Sequence, residues 1–120
     1  MEQAGRWRPR VARGSAPPSF ALDFSRRGRD VTVAVRGEVD GVSTGILRTL
    51  LLDVVDGQGN LSVTVDLSGM TFIGSAGLGV FLEMHRLAVE RGGSFVLRNP
   101  RPSAAKVFEI VGLREILSIA

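Results

Sequence analysis

Cysteine is absent from the 120 residues, which excludes disulfides, thiolate catalysis and zinc–thiolate sites. Histidine occurs once, as His85, and lysine once, as Lys106. No apolar run approaches the length of a bilayer span. No charged stretch leads into an apolar run and a cleavage site either, so neither a membrane anchor nor a secretory signal is expected. A reducing cytoplasm suits such a chain. Excess charge of one sign is confined to the start, where Arg6, Arg8, Arg10 and Arg13 stand against Glu2 alone. The rest carries eleven basic and eleven acidic side chains, so the net charge of +3 describes a tail. A basic surface for nucleic acid is not expected.

What remains supports one core. A hydrophobic share of 44% with six phenylalanines suffices for a single compact domain, and the length is too small for two. Residues 1–18 mix Arg, Gly, Pro and Ser with scattered apolar residues, so a disordered basic tail is expected there, followed by a domain over 19–120.

Phe20, Leu22 and Phe24 alternate with polar or small residues, and Val31, Val33 and Val35 repeat the pattern after a link containing Gly28. These runs predict an antiparallel hairpin. A helix starting at Ser43 or Thr44 follows, its stripe formed by Ile46, Leu47, Leu50, Leu51, Val54 and Val55, and Gly57 and Gly59 stop it. Leu61–Leu67 reads as a strand, a short turn follows, and a helix runs from Ser75 to about Glu90 before Gly92-Gly93. Ser94–Leu97 predicts a strand, Ser103 a cap on a helix closed by Gly112, and Glu115–Ile119 a final strand. This order gives an α/β fold with a mixed sheet, opened by the hairpin and packed against helices. Functional loops in such sheets lie beyond the carboxyl ends of the strands, where Asp40 and Ser75 both fall.

Ser75 opens a helix, where a serine caps orphan N–H groups. Those N–H groups and the helix dipole also favour an anion there, including a phosphate carried by the serine itself. The segment VDLSGMTFIGSAGLGVFLEMHRLAVERGG resembles the core signature of STAS domains, in particular bacterial anti-sigma factor antagonists. Asp66-Leu67-Ser68 matches the family's strand end, Ser75 its phosphoacceptor, and Gly77-Leu78-Gly79 its helix opening. Gly37-Glu38-Val39-Asp40 and Val107–Leu113 resemble two further family stretches, so the likeness covers about Phe20 to Ala120. Gly74 stands where the family has an aspartate, leaving only the hydroxyl half of an Asp-Ser pair. The resemblance also implies one more helix after the last strand. Without it, apolar surface on one helix layer would need a partner or self-association to cover it.

Enzymatic readings fail on the residues. A nucleophile elbow needs glycine at position 73, which is Ile73. His85 lies ten residues along the same helix, about 15 Å from Ser75, and is expected to be an ordinary helix residue. The glycines at 74, 77 and 79 match neither a P-loop nor a dinucleotide fingerprint. Asp40, Asp66 and Ser75 are expected to converge at one edge of the sheet. They are too thin a set for magnesium, and caps and turns account for both aspartates. No cofactor and no metal are called for. Glu83, Arg86, Glu90 and Arg91 form a solvated face on the same helix, part of which a docked partner could touch.

The resemblance implies a cytoplasmic, non-enzymatic protein that binds an anti-sigma factor and so frees a sigma factor, without contacting nucleic acid or membrane. The expected partner is a serine kinase of histidine-kinase-like ATPase fold. Its contacts are expected at Asp40, Asp66, Gly74, Ser75, Ala76, Gly77 and Leu78, with phosphorylation of Ser75 as the switch. Two other readings stand beside it: a non-switching STAS module of a larger assembly, such as a stressosome or a lipid-transport complex, and a small-ligand or nucleotide-binding STAS domain.

Overall fold

The computed structural model describes residues 5–7, 20–113 and 118–119. In chain order its elements are β1 (Gly5–Trp7), β2 (Phe20–Arg27), β3 (Asp30–Val39), α1 (Val42–Gly57), β4 (Ser62–Ile73), α2 (Ser75–Glu90), β5 (Ser94–Arg98), α3 (Pro102–Ile110) and β6 (Ser118–Ile119). Among the described residues these strands form one mixed sheet whose spatial order equals the chain order, β1 to β6. The first two pairings are antiparallel and the last three parallel.

The expected hairpin forms and is tight. Arg27 pairs with Asp30 across the loop Gly28–Arg29, and Gly28 holds φ +59°, the positive value that the first loop position of a type II′ turn requires. From β3 onward every crossover advances in the same direction. Right-handed connections therefore place α1, α2 and α3 on one face of the sheet. The burial pattern agrees. Phe24, Val33, Val65 and Leu97 sit side by side in register and are fully buried, and they form one core with Leu47 and Leu51 of α1, Phe81 and Met84 of α2 and Phe108 of α3. In the alternate set Thr32, Arg36, Ser62, Ser94 and Arg98 are exposed, and Ala34, Thr64 and Val96 between them are half-buried. Covering one face of a sheet gives this split.

Four sequence expectations are corrected. The turn expected after Leu67 is strand: β4 continues to Ile73. Ala34 pairs with Asp66 but Arg36 with Gly69, and Gly37 pairs with Met70 but Glu38 with Phe72, so β4 carries two bulged residues. Each bulge shifts the phase of the alternation. The buried residues after Leu67 are therefore Met70 and Ile73, a spacing of three that hides a strand from a period-two reading. The last helix starts at Pro102, not under a Ser103 cap, because proline at the first helical position needs no N–H partner. Helix α2 has Gly74 as its N-cap and no side-chain cap bond, so Ser75 is its first helical residue and not its cap. Lastly, Gly5–Trp7, inside the segment expected to be disordered, pairs with the outer side of β2 and covers an edge that would otherwise be bare. The rest of residues 1–18 lies outside the described residues, as do residues 115–117 of the expected last strand.

Helices α2 and α3 end alike. Gly92 N–H donates to Val89 O and Gly93 N–H to Ala88 O, while Gly112 N–H donates to Glu109 O and Leu113 N–H to Phe108 O. This pairing satisfies the last carbonyls and needs a left-handed residue at Gly92 and Gly112, with φ +80° and +72°.

Candidate docking site at the head of the second helix

The backbone joins two loops before any side chain is considered. Gly74 N–H donates to Val39 O at 3.0 Å, so the junction of β4 and α2 is stitched to the end of β3. Asp40 and Gly74 thus lie side by side. A Cβ placed on Gly74 would come within 3.2 Å of Asp40 Oδ1. Asp40 itself is held by its neighbours. Its carboxylate accepts from Gly41 N–H at 3.0 Å, and its own N–H donates to Ser43 Oγ at 2.8 Å. The Ser43 hydroxyl lies 2.7 Å from Glu38 O and 2.8 Å from Asp40 O, and Ser43 is buried. The sequence presents Ser43 as a helix start; in the fold it clamps the whole Glu38–Ser43 turn.

Around this junction Asp40, Ser75 and Ala76 are exposed. Two apolar side chains join them in the open, Val42 at 65% and Phe72 at 50% exposure. Neither is legible in the sequence as a surface residue. Phe72 is turned outward because the second bulge puts Ile73 inside, and Val42 occupies the solvent side of the first turn of α1. Gly77 and Leu78 are buried: a Cβ on Gly77 would press on Ile73 and Val39 at 2.8 Å, so these two residues lock α2 onto the sheet below the surface.

Asp66 is not part of this cluster. It sits in β4 opposite Ala34 and Arg98, roughly 20 Å along the strand from Ile73 at ordinary strand rise. Its Oδ1 accepts from Ser68 N–H at 3.0 Å and from Asn99 Nδ2 at 3.4 Å. Burial pushes this carboxyl up, but the bonds from the Ser68 backbone and hydroxyl and from Asn99 outweigh it and hold the group below its ordinary value. The expected convergence of Asp40, Asp66 and Ser75 is therefore corrected to Asp40 and Ser75 alone. Because β5 ends at Arg98 while β4 runs on to Ile73, Asp66 belongs to the end of the shorter strand.

The charged face of α2 is partly occupied. Glu83 accepts from Arg48 of α1 at both oxygens, at 2.9 and 2.6 Å, and Arg91 pairs with Asp56. The Arg48 hydrogen bond holds Glu83 below the usual carboxylate value, and Glu83 in turn raises Arg48. His85 approaches Phe95 O through Nδ1 at 3.3 Å and faces β5, away from the head of its helix. No helix among the described residues is long and apolar enough to cross a membrane.

Known proteins place this geometry. A family model described as "Mlab, STAS domain" matches residues 22–118. The anti-sigma-B factor antagonist of Bacillus subtilis (strain 168) is 29% identical over 99 residues, covering 82% of this chain and 89% of that protein. An anti-sigma factor antagonist from Mycobacterium paratuberculosis superposes with a TM-score of 0.75 at 25% identity, covering 88% of each chain. The anti-sigma factor antagonist SpoIIAA in its unphosphorylated form gives a TM-score of 0.71 at 25% identity, covering 83% of this chain and 88% of that one. With the bulged β4, the loop pair Asp40–Gly74 and the helix that opens on Ser75, the chain belongs to the STAS domain family.

Proposed function

We propose that the chain is an anti-sigma factor antagonist that docks on a kinase-type anti-sigma factor through the head of α2 and is released by phosphorylation of Ser75. The observation that carries this reading is the state of Ser75: exposed, first in its helix, and not its cap. A serine with a structural cap role would resist modification, whereas this hydroxyl is open to a kinase. Val42, Phe72 and Ala76 supply an apolar contact area around it, and Asp40 supplies the carboxylate that Gly74 lacks. A phosphate adds about −1.5 to −2 charges. Beside Asp40 it meets a like charge, and its hydration opposes burial under a partner, so the complex dissociates. The helix dipole meanwhile favours the phosphate on the free protein, which leaves the fold intact. A relative solved in a named unphosphorylated form fits a family in which this state matters.

The test combines phosphate incorporation with partner capture. Incubated with its cognate kinase and ATP, the wild type takes up phosphate and Ser75→Ala does not. Ser75→Ala holds the anti-sigma factor permanently, and Ser75→Glu holds it weakly while remaining folded. A folded wild type that takes up no phosphate but still binds its partner would instead support a non-switching STAS module.

A further inference from the structure

At the end of the sheet opposite Ser75, where β3 begins at Asp30 and β4 at Ser62, the last turn of α1 leaves a gap beside the β2–β3 hairpin. Helix α1 closes on Gly57, and a Cβ there would meet nothing within 4 Å. The gap is a cavity of about 350 Å³, near the lower size limit of small-ligand sites. Phe24, Val31, Val54 and Leu61 line it as a floor, none of them more than 8% exposed. Its exposed rim carries Arg26, Asp53 and Gln58. Two opposite charges thus share one mouth, and they do not pair with each other. Arg26 Nε donates to Gly28 O at 2.7 Å and Nη2 to Gln58 Oε1 at 2.7 Å. These bonds fix the guanidinium between β2 and the end of α1, and among the described residues they leave Nη1 unpaired. Asp53 has neither an ion pair nor a hydrogen bond among the described residues, whereas Asp56 of the next turn takes Arg91.

We infer that this cavity binds a small zwitterion with an apolar tail, of the class of the branched and aromatic α-amino acids. The tail covers the apolar floor. The carboxylate meets the Arg26 guanidinium, and the ammonium group meets the Asp53 carboxylate. Ligands of other classes leave one rim charge opposed or stripped of water. A simple anion is repelled by Asp53 and a simple cation by Arg26, while a neutral hydrocarbon displaces water from both charges and replaces none of its hydrogen bonds. The cavity and the head of α2 lie at opposite ends of the sheet, so the inference stands or falls independently of the Ser75 switch.

The probes are L-leucine and L-phenylalanine, titrated into the full-length 15N-labelled protein. The expected result is saturable amide shifts grouped at Ser25, Arg26, Val54, Gly57 and Gln58 at millimolar ligand, with at least one of the two. Three analogues of leucine separate the contributions: isopentylamine lacks the carboxylate, isocaproate lacks the amine and glycine lacks the tail. Each should bind about tenfold more weakly or worse. Asp53→Asn should weaken amino-acid binding by a similar factor at an unchanged melting temperature, because Asp53 makes no bond within the described fold. Arg26→Gln should do the same, and should it loosen the hairpin, Asp53→Asn carries the comparison. No shifts with either amino acid, shifts confined to the Ser75 turn, equal binding of the analogues, or undiminished affinity in Asp53→Asn would overturn the inference.

Discussion

At the residue scale, Ser75 and Gly74 exchange the roles that helix-start statistics assign. Ser75 offers the preferred capping side chain, yet Gly74 occupies the cap position and leaves the hydroxyl free. Ser75→Ala should therefore change the unfolding free energy by less than about 0.5 kcal/mol, well short of the cost of a lost cap, and urea titration decides it. Gly74 holds φ −85° and ψ 173°, which any residue adopts, so substitution there meets no backbone strain. What Gly74→Asp does meet is Asp40. Two adjacent carboxylates disfavour each other's ionised forms and raise the folded-state pKa values above their unfolded ones. The variant's penalty should be absent in acid and grow to about 1 kcal/mol as the pH rises past the unfolded value near 4. Gly74→Asn should show no such growth. With the cognate kinase, Gly74→Asp should also accept phosphate on Ser75 faster than wild type, restoring the acidic neighbour of the family pattern. Asp66 titrates with the opposite sign. Its folded pKa is depressed, so its contribution is present above the unfolded value and is lost as the pH falls through the folded one. Denaturant midpoints should fall less between neutral and acid pH in Asp66→Asn than in wild type.

At the element scale, strands and helices were legible wherever their period stayed constant. The hairpin, α1, α2 and β5 follow unbroken alternation or an unbroken stripe, and their ends carry glycine. β4 is where legibility failed, and with it the grouping of the site. Its two bulges are set by pairing with β3, a partner far away in sequence, so Leu67, Met70 and Ile73 at threefold spacing resemble a turn more than a strand. Taken as a turn, that stretch leaves β4 ending near Leu67 and puts Asp66 beside Ser75, where the fold does not have it. Ser75 was legible through family motif and helix start, but the exposure of Phe72 and the seat of Arg36 on Gly69 depend on the bulges, and that of Val42 on how the first turn of α1 sits on the sheet. One close approach tests the packing between elements. A Cβ on Gly93 would sit 2.2 Å from Leu61 O and 2.8 Å from Leu61 N, both backbone atoms that cannot step aside. Gly93→Ala should destabilise by about 3 kcal/mol, whereas Gly79→Ala, with open space at its Cβ position, should be neutral or slightly stabilising. Thermal melts of both variants check the contrast.

At the scale of the whole molecule, the basic N-terminal segment and the sheet are coupled through β1. Among the described residues, deleting 1–18 removes three paired ones, Gly5 to Trp7, so the fold should survive and the partner should still be captured. The loss should nevertheless lower the melting temperature by several degrees, about what 1 kcal/mol produces in a domain of this size. It also leaves β2 as an open edge, and sedimentation of the truncated protein should show more self-association than the full chain. An unchanged melting temperature would mean that β1 adds nothing to the sheet.

The coincidence of spatial and sequential strand order also has a consequence for synthesis. Each strand pairs only with the strands made just before and just after it, so no early segment must wait for a late one to find its neighbour. As the chain leaves the ribosome, the β2–β3 hairpin can close first, and each following strand–helix unit then lays one more strand on an edge already formed. A released chain truncated after Arg98 already contains β2 to β5 and both long helices, and should resist protease across that region without α3 and β6.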